Sequence, residues 1–257
     1  MSNSLIRNLA YSVLELITLG RGVTRRINNM KVRFPAKWSR YYPDKYEVEN
    51  YIFLQQQVKP GMHIIDIGAH IGLFSVCSSQ LTGPHGKIIC FEPTPGTFSI
   101  LKNTLRLNHC DNVTALQAAV SDKEGTATFF VSHVEGSNSN SLVKNMLKGE
   151  SVGYEAKIVT IDSSVKKYSI IPSIIKIDAE GAEFDVLKGG GETFKEHKPI
   201  LILGLHPAFI IQKGDSLEAI WELLSDAGYQ VKRGEIIFSK SDFCNQTQLF
   251  EVHCLTS

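Results

Sequence analysis

The chain has 257 residues, of which 43% are hydrophobic and 21% charged, with 27 Lys and Arg against 26 Asp and Glu. This length allows one full core, and the formal net charge of +1 gives no reason to expect a nucleic-acid partner. No uninterrupted apolar run approaches the roughly 18 residues of a transmembrane segment. Five cysteines without a CxxC pair predict small core residues in a reducing compartment, so we expect a cytoplasmic protein.

The first 30 residues carry apolar side chains at helical spacing and predict an amphipathic helix. It would pack on the main domain or on a partner subunit, or lie on a membrane surface. Residues 1–45 are therefore predicted to be a helical extension that offers an oligomer contact or a peripheral membrane contact, and residues 46–257 to be the main domain. The extension also contains aromatic residues that would either form core under the helix or stack on a sugar ring: Phe34, Trp38, Tyr41 and Tyr42.

From residue 46 onward, helical and apolar segments alternate. Helices are predicted at Tyr46–Val58, Leu73–Leu81, Thr97–Asn108, Glu183–Lys188 and Leu217–Gly228. Strands are predicted at His63–Ile67, Lys87–Phe91, Val113–Val120, Ala127–Ser132, Ile174–Ile177 and Ile200–Leu205. Apolar strands that alternate with helices indicate a parallel α/β sheet covered on both faces. Three strands without helices between them then predict an antiparallel C-terminal edge, at Tyr229–Arg233, Glu235–Ser239 and Leu249–Leu255.

One long segment does not fit this alternation. Residues Glu135–Ala156 are rich in Gly, Ser and Asn and offer little core. A long structureless insertion in a compact domain is typical of a functional lid or of a flexible loop. Residues 136–141 would suit a substrate lid, since Ser and Asn side chains can hydrogen-bond sugar hydroxyls.

The strand at His63–Ile67 leads into a glycine-containing turn, Asp66-Ile67-Gly68-Ala69-His70-Ile71-Gly72, which opens a helix. Such a turn lets the backbone approach an adenosine-bearing cofactor, and the helix start supplies free N–H groups. The next strand ends at Glu92, 20 positions after Gly72, where an acid can accept hydrogen bonds from a ribose diol.

The opening carboxylate of the turn distinguishes between cofactors. A dinucleotide site has two close glycines that face a doubly charged pyrophosphate. Here Asp66 would repel pyrophosphate but attract the ammonium group of a methionine moiety. The alternative, that Asp66 only caps the following helix, is weakened by the presence of Glu92. The charges therefore favour S-adenosylmethionine over a nicotinamide dinucleotide.

Four stretches together resemble the FkbM family of methyltransferases, over roughly residues 45–207. They are Val58–Gly61 running into Ile65–Gly72, Phe91-Glu92-Pro93, Ala119–Asp122 with Gly125, and Ile175–Glu183 running into Val186–Gly189. The last is the most specific, because the family typically shows K-I-D-x-E-G-x-E followed by Leu-Lys-Gly. Val159–Asp162 is also similar to the family's stretch before that strand.

The resemblance implies a Rossmann-like class I methyltransferase fold, a mostly parallel seven-stranded sheet whose last strand is antiparallel. It also implies methyl transfer, usually to a hydroxyl of a sugar, glycan or natural product. By position, the cofactor-binding residues would be Asp66, Gly68, Ala69, His70, Gly72, Glu92, Ala119 and Asp178. Glu92 would take the ribose, Ala119 the adenine side, and Asp178 the methionine end.

The sequence departs from the family pattern at two positions. His70 stands where the family often has Asn, so its contacts in the turn should differ. The fifth strand often ends in Glu before a His-Pro pair, but here it reads Leu203-Gly204-Leu205-His206-Pro207.

Three residues at strand ends are the predicted catalytic set: His206, Asp178 and Glu180. Removal of a hydroxyl proton needs a base, and His206 is the candidate, with Asp178 or Glu180 orienting it or binding substrate. The alternative is that His206 is only a capping or core residue. Glu183 is interpreted as a helix-face charge, or as a partner of Lys188 or Lys176, rather than as a catalytic acid. The catalytic set could also hold Mg²⁺, although the spacing does not demand a metal.

The sequence thus predicts an adenosylmethionine-dependent O-methyltransferase that acts on a small molecule or glycan. The segment Asp178-Ala179-Glu180-Gly181 lacks the Pro-Pro tetrapeptide of many N-methyltransferases, which argues against a nitrogen acceptor. The alternatives are a non-catalytic protein that binds adenosylmethionine or a partner, and a nicotinamide-dependent oxidoreductase.

Overall fold

The structure is a computed structural model that describes residues 11, 13–14, 17–132, 140–141 and 151–256. The strands are β1 (Val23–Ile27), β2 (Met30–Phe34), β3 (His63–Ile67), β4 (Lys87–Phe91), β5 (Val113–Leu116), β6 (Ala119–Val120), β7 (Gly125–Ser132), β8 (Asn140–Ser141), β9 (Ser151–Val159), β10 (Ile174–Asp178), β11 (Ile200–Leu205), β12 (Tyr229–Arg233), β13 (Ile236–Ile237) and β14 (Phe250–Thr256). The α-helices are α1 (Val48–Gln57), α2 (Leu73–Thr82), α3 (Pro95–Leu107), α4 (Ile161–Tyr168), α5 (Glu183–Lys188), α6 (Gly191–His197), α7 (Pro207–Lys213), α8 (Leu217–Asp226) and α9 (Lys240–Cys244). Residues Ala36–Tyr41 form a 3-10 helix.

The central sheet has eight strands in the spatial order β5-β4-β3-β10-β11-β14-β12-β13. Strands β3, β4, β5, β10 and β11 pair in parallel. Strand β14 lies between β11 and β12 and runs antiparallel to both. The predicted mostly parallel sheet with an antiparallel C-terminal strand is confirmed, and the short β13 adds an eighth strand at the edge of β12.

The sheet is buried on both faces because its central strands are apolar at successive positions. Ile64 and Ile65 of β3 are both fully buried, yet they point into different apolar layers. The layer beneath Ile65 includes Leu224 of α8, whereas the layer over Ile64 includes Leu101 of α3.

Polar groups replace this second apolar layer towards the carboxyl ends of the strands. Two residues beyond Ile64 the register aligns Asp66 with Lys176, and Lys176 also pairs with Ile202. The next row aligns Asp178 with Gly204. In-register residues share one face of a sheet, so a charged strip lies at its carboxyl edge.

A second, four-stranded sheet has the order β6-β9-β7-β8. Its longest pairing is antiparallel, from Gly125 opposite Ile158 to Ser132 opposite Ser151. The predicted single strand Val113–Val120 was wrong, because β5 joins the central sheet and β6 joins β9. The predicted structureless segment Glu135–Ala156 was wrong at β8 and from Ser151 onward, because β8 and β9 both pair with β7. The proposed lid over residues 136–141 falls mostly outside the described residues.

The helix predicted over residues 1–30 does not continue to its end, because β1 and β2 form an antiparallel hairpin. Its turn is Asn28-Asn29, with φ of 46° and 68°, a left-handed backbone that Asn tolerates better than most residues. Ile27, Val32 and Phe34 are fully buried in the same apolar layer as Ile64. The hairpin is therefore part of the main core. Residues 1–10 lie outside the described part of the chain, so the membrane and oligomer roles of residues 1–30, and the division at residue 45, stay predictions.

We expect Gly68→Ala to destabilise the fold more than Gly61→Ala. Both glycines have positive φ, +76° and +85°, so both substitutions strain the backbone. A Cβ at Gly68 would lie 1.9 Å from the carbonyl oxygen of Asp178, whereas a Cβ at Gly61 would have no atom within 4 Å. Denaturant unfolding should show a further loss of about 1–3 kcal/mol for Gly68→Ala. Equal losses in the two variants would contradict this packing.

Candidate active site

The turn after β3 is held by backbone hydrogen bonds to β4. The N–H groups of Gly68 and Ala69 both donate to the carbonyl of Phe91, at 3.1 and 2.9 Å. His70 has a positive φ of 50°, and its N–H donates to Glu92 Oε2 at 3.1 Å. Gly72, with φ of 94°, then begins α2. The predicted turn residues are thus brought to the carboxyl edge of the sheet, against Glu92.

Glu92 is buried just beyond the end of β4. Its Oε1 accepts a hydrogen bond from the Thr94 N–H at 2.9 Å, in addition to the bond from His70. Burial raises the pKa of Glu92 to about 7, although both hydrogen bonds act to lower it. These two bonds leave acceptor capacity on the carboxylate, as the predicted contact with a ribose diol requires.

Asp66 lies beneath the turn and has no exposed surface. Its Oδ2 accepts a hydrogen bond from the Ser75 hydroxyl at 2.6 Å, and its Oδ1 lies 3.9 Å from Lys176 Nζ. Burial raises the pKa of Asp66, while the Lys176 charge and the Ser75 hydroxyl oppose the shift. Asp66 therefore stabilises the base of the turn. Its carboxylate does not reach the surface of the site, although the sequence had led us to expect that it would contact the ammonium group of a cofactor directly.

Lys176 joins the two carboxylates of the charged strip. Its Nζ lies 3.3 Å from Asp178 Oδ2 and 3.9 Å from Asp66 Oδ1. Burial alone would lower the pKa of Lys176, but the charges of Asp178 and Asp66 outweigh it and raise the pKa. The side chain of Asp178 is 36% exposed, against 9% for Lys176. Asp178 is thus the carboxylate of this trio that a ligand can reach.

His206 follows β11 and is held by a buried carboxylate. Its Nδ1 lies 2.8 Å from Oε1 of Glu183, which has no exposed surface, and its Nε2 lies 3.8 Å from Asp178 Oδ1. Burial alone would lower the pKa of His206, but the hydrogen bond and charge of Glu183 outweigh it and raise the pKa. The interpretation of Glu183 as a helix-face charge or a lysine partner was wrong, because Glu183 has no exposed surface and bonds His206. Lys188 pairs with Asp185 and Lys176 with Asp178 instead.

The inward direction of Glu183 comes from a tight turn between β10 and α5. Glu180 and Gly181 have φ of 45° and 100°, and the Gly181 N–H donates to both carboxylate oxygens of Glu183 at 3.0 Å. The turn brings the first residue of α5 under His206. Glu180 itself acts on His206 through its charge. The feature of the sequence that could have indicated this inward direction is Gly181, two positions before Glu183.

The segment after the hairpin contacts the Asp66–Gly72 turn at His70. The Tyr42 hydroxyl is 2.9 Å from His70 Nδ1, and the Trp38 ring meets the His70 ring edge-on at 6.1 Å. Burial lowers the pKa of His70 to about 4, so the imidazole is neutral. Tyr42 also stacks on Phe34, with ring centroids 5.1 Å apart. Phe34 and Tyr42 are core residues, as one of the two interpretations held, and they support the turn.

The second sheet meets the site near Ala119, which is 6% exposed and packs against Ala156 and Tyr154. Tyr154 interacts electrostatically with Glu92. Ala119 thus lies on the side of the site that Glu92 occupies, just beyond β4.

Within the described ranges, no group of three or more His, Cys, Asp or Glu side chains could hold a metal ion. Asp178, Glu180 and His206 therefore do not form the ligand set that the Mg²⁺ alternative requires. No helix in the described part of the chain is long and apolar enough to cross a membrane. The cysteines of that part are all free, and all but Cys244 are buried, as predicted for core residues.

The parallel sheet, the antiparallel β14 and the glycine turn after the first central strand define the class I methyltransferase fold. Residues 66–231 match the family described as Methyltransferase FkbM domain. The chain therefore belongs to the FkbM methyltransferase family. The resemblance in the sequence is confirmed, and with it the prediction of a methyltransferase.

Two relatives in sequence and one solved structure are similar to parts of the chain. Methyltransferase sdnD from Sordaria araneosa is 30% identical over 209 residues, covering 70% of this chain and 78% of that protein. Methyltransferase 1 from Beauveria bassiana is 29% identical over 144 residues, covering 49% of this chain and 57% of that protein. The crystal structure of methyltransferase FkbM from Methylobacillus flagellatus aligns with 80% of this chain and 51% of its own, at 16% identity and a TM-score of 0.48.

We expect Lys176→Met to be strongly destabilising, because it leaves buried Asp66 without its cation. Removing one partner of a buried ion pair costs about 3–5 kcal/mol. The pKa of Asp66 should rise further, so the free energy of unfolding of the variant should fall as pH rises above the ordinary carboxyl range, about 4. Denaturant unfolding at several pH values measures both effects.

Lys166→Met is the matched control. Lys166 also pairs with a carboxylate, Glu192 at 2.7 Å, but both side chains are largely exposed. Exposed pairs contribute little, so this variant should unfold almost like the parent protein. Similar behaviour of the two variants would show that Lys176 does not stabilise Asp66.

Proposed function

We propose that this methyltransferase uses S-adenosylmethionine and methylates a hydroxyl of a sugar, a glycan or a related small molecule. His206 is the proposed general base. The observation that carries the proposal is the line of contacts from buried Glu183 through His206 to Asp178, beside the cofactor turn.

The residues around the turn fit a cationic ligand. Asp66 Oδ1 is buried without a hydrogen-bond donor among the described residues, and Lys176, 3.9 Å away, also pairs with Asp178. Two carboxylates against one ammonium leave negative charge at the accessible Asp178. That charge would attract the ammonium and sulfonium groups of adenosylmethionine and would repel a pyrophosphate.

Four residues would hold the cofactor. Asp178 would face its methionine end, the Gly68 turn would approach it with backbone, Glu92 would accept bonds from the ribose, and Ala119 would border the adenine. When bound, adenosylmethionine supplies a methyl group that is activated by the adjacent sulfonium.

His206 has the features of a general base. Glu183 accepts a hydrogen bond from the Nδ1–H of the imidazole, which leaves Nε2 free to accept the proton of an acceptor hydroxyl. Nε2 points towards Asp178 at the carboxyl edge of the sheet. A raised pKa makes His206 a stronger base, at the cost of needing a higher pH to be neutral. Methyl transfer should therefore increase as pH rises through the His206 pKa.

Calorimetric titration tests the cofactor. The protein should bind adenosylmethionine and should not bind NAD, whereas binding of NAD alone would support an oxidoreductase instead. Asp66→Ala should lose adenosylmethionine binding because the turn loses its support. His206→Ala should keep that binding and lose turnover with an accepted hydroxyl compound. Full activity of His206→Ala would show that His206 is not the base and would support a purely structural role for it.

Glu183→Gln should lower the pKa of His206, because the charge that stabilises the imidazolium is removed. An NMR titration of the histidine ring signals measures this without an acceptor. His253 is an internal control, since burial lowers its pKa to about 4 and its Nε2 contacts the Asn50 amide oxygen, 3.0 Å away. An unchanged His206 pKa in Glu183→Gln would contradict the pairing.

A further inference from the structure

Glu251 of β14 lies in the same row of the sheet as Asp178. Asp178 pairs in register with Gly204 of β11, and Gly204 pairs in register with Glu251. Side chains of in-register residues lie on one face, so both carboxylates stand on the face that carries Lys176. Two strand spacings, roughly 10 Å, separate their backbones. Glu251 thus extends the charged strip beyond the residues that match the family.

Gly204 leaves the space between the two carboxylates without a side chain. A Cβ at Gly204 would lie 3.4 Å from Cγ of Asp178, so the Asp178 carboxylate leans over β11 towards β14. The strip is therefore continuous from the cofactor turn to Glu251, with no apolar side chain in between.

Glu251 is half-buried, and its carboxylate makes no hydrogen bond or ion pair with any described residue. The charged groups that act on it electrostatically are Glu47 before α1, Lys176 and Asp178 on β10, and Arg233 on β12. The two cations are already engaged, Lys176 with Asp178 at 3.3 Å and Arg233 with Glu49 at 2.8 Å. A half-buried carboxylate without a partner is costly, and a cationic ligand would relieve that cost.

We propose that Glu251 is a carboxylate of the methyl-transfer site that, together with Asp178, makes the site bind adenosylmethionine in preference to adenosylhomocysteine. The inference rests on the proposed cofactor. Both ligands carry an ammonium group, but adenosylmethionine also carries a sulfonium that its product lacks, so an added negative charge stabilises the first more than the second. One unit charge added to a partly buried site changes the binding constant of a cationic ligand by roughly three- to twentyfold. Glu251 would in this way favour release of the product.

The charge of Glu251 should also depend on pH near neutrality. Burial and the charge of Glu47 raise the pKa of Glu251 to about 7, with Asp178 adding to the rise and Lys176 and Arg233 opposing it. The preference for adenosylmethionine should therefore be weak at pH 6, where Glu251 is largely protonated, and stronger at pH 8.

Calorimetric titrations of the full chain with adenosylmethionine and with adenosylhomocysteine test the inference. At pH 8, Glu251→Gln should lower the ratio of the two dissociation constants, product over cofactor, by roughly three- to twentyfold, mainly through weaker adenosylmethionine binding. The ratio in Glu251→Gln should no longer rise between pH 6 and pH 8. Glu251→Asp, which keeps the charge, should retain most of the preference.

Glu222→Gln is the matched control, because it removes an equal charge from a surface carboxylate that pairs with Lys240 at 3.0 Å. Its ratio should equal that of the parent protein. An unchanged ratio in Glu251→Gln, with both ligands still bound, would overturn the role of Glu251 alone. If the parent protein binds neither ligand, the proposed cofactor fails and this inference fails with it.

Discussion

The burial of Lys176 between Asp66 and Asp178 is the interaction on which the rest of the site depends. A carboxylate with no exposed surface, such as Asp66, would be costly without a cation close by. Lys176 supplies that cation and also fixes Asp178, the accessible carboxylate. The same lysine therefore supports the Asp66–Gly72 turn through Asp66 and limits the negative charge at the accessible Asp178. A substitution of Lys176 would therefore affect both the support of the turn and the position of Asp178, since one ammonium group serves both.

The parts of the site that could be predicted from the sequence are local in the chain. The turn from Asp66 to Gly72 and the acid at Glu92 follow from a strand, a glycine pattern and a short spacing. Asp66 shows the limit of this reasoning, because its position in the turn was predicted correctly but its burial was not. Whether a carboxylate faces a ligand or the core depends on Ser75 and Lys176, and only the packed sheet brings these two together.

The predictions from the sequence were wrong where two periodic patterns were possible for one segment, or where a contact joins elements that are distant in the chain. The first 30 residues have helical spacing, but the Asn28-Asn29 turn between two alternating segments favours a hairpin. Glu183 opens a helix, and a surface position is the ordinary expectation for a charge there. The tight turn at Gly181 directs it inward, towards a histidine that is 23 residues later in the chain. Tyr42 and Glu251 lie outside the 66–231 match, so their places beside the site required the whole fold.

The position of β14 has a consequence for how the protein is made. Strand β14 lies between β11 and β12, yet the ribosome synthesises it after both. Until residues 250–256 have left the ribosome, the nascent chain has two exposed strand edges facing an open gap, and such edges invite pairing with other chains. The sheet can close only when β14 is inserted, and that step also delivers Glu251 to the strip. Completion of the sheet and completion of the charged site are therefore a single late event in biosynthesis.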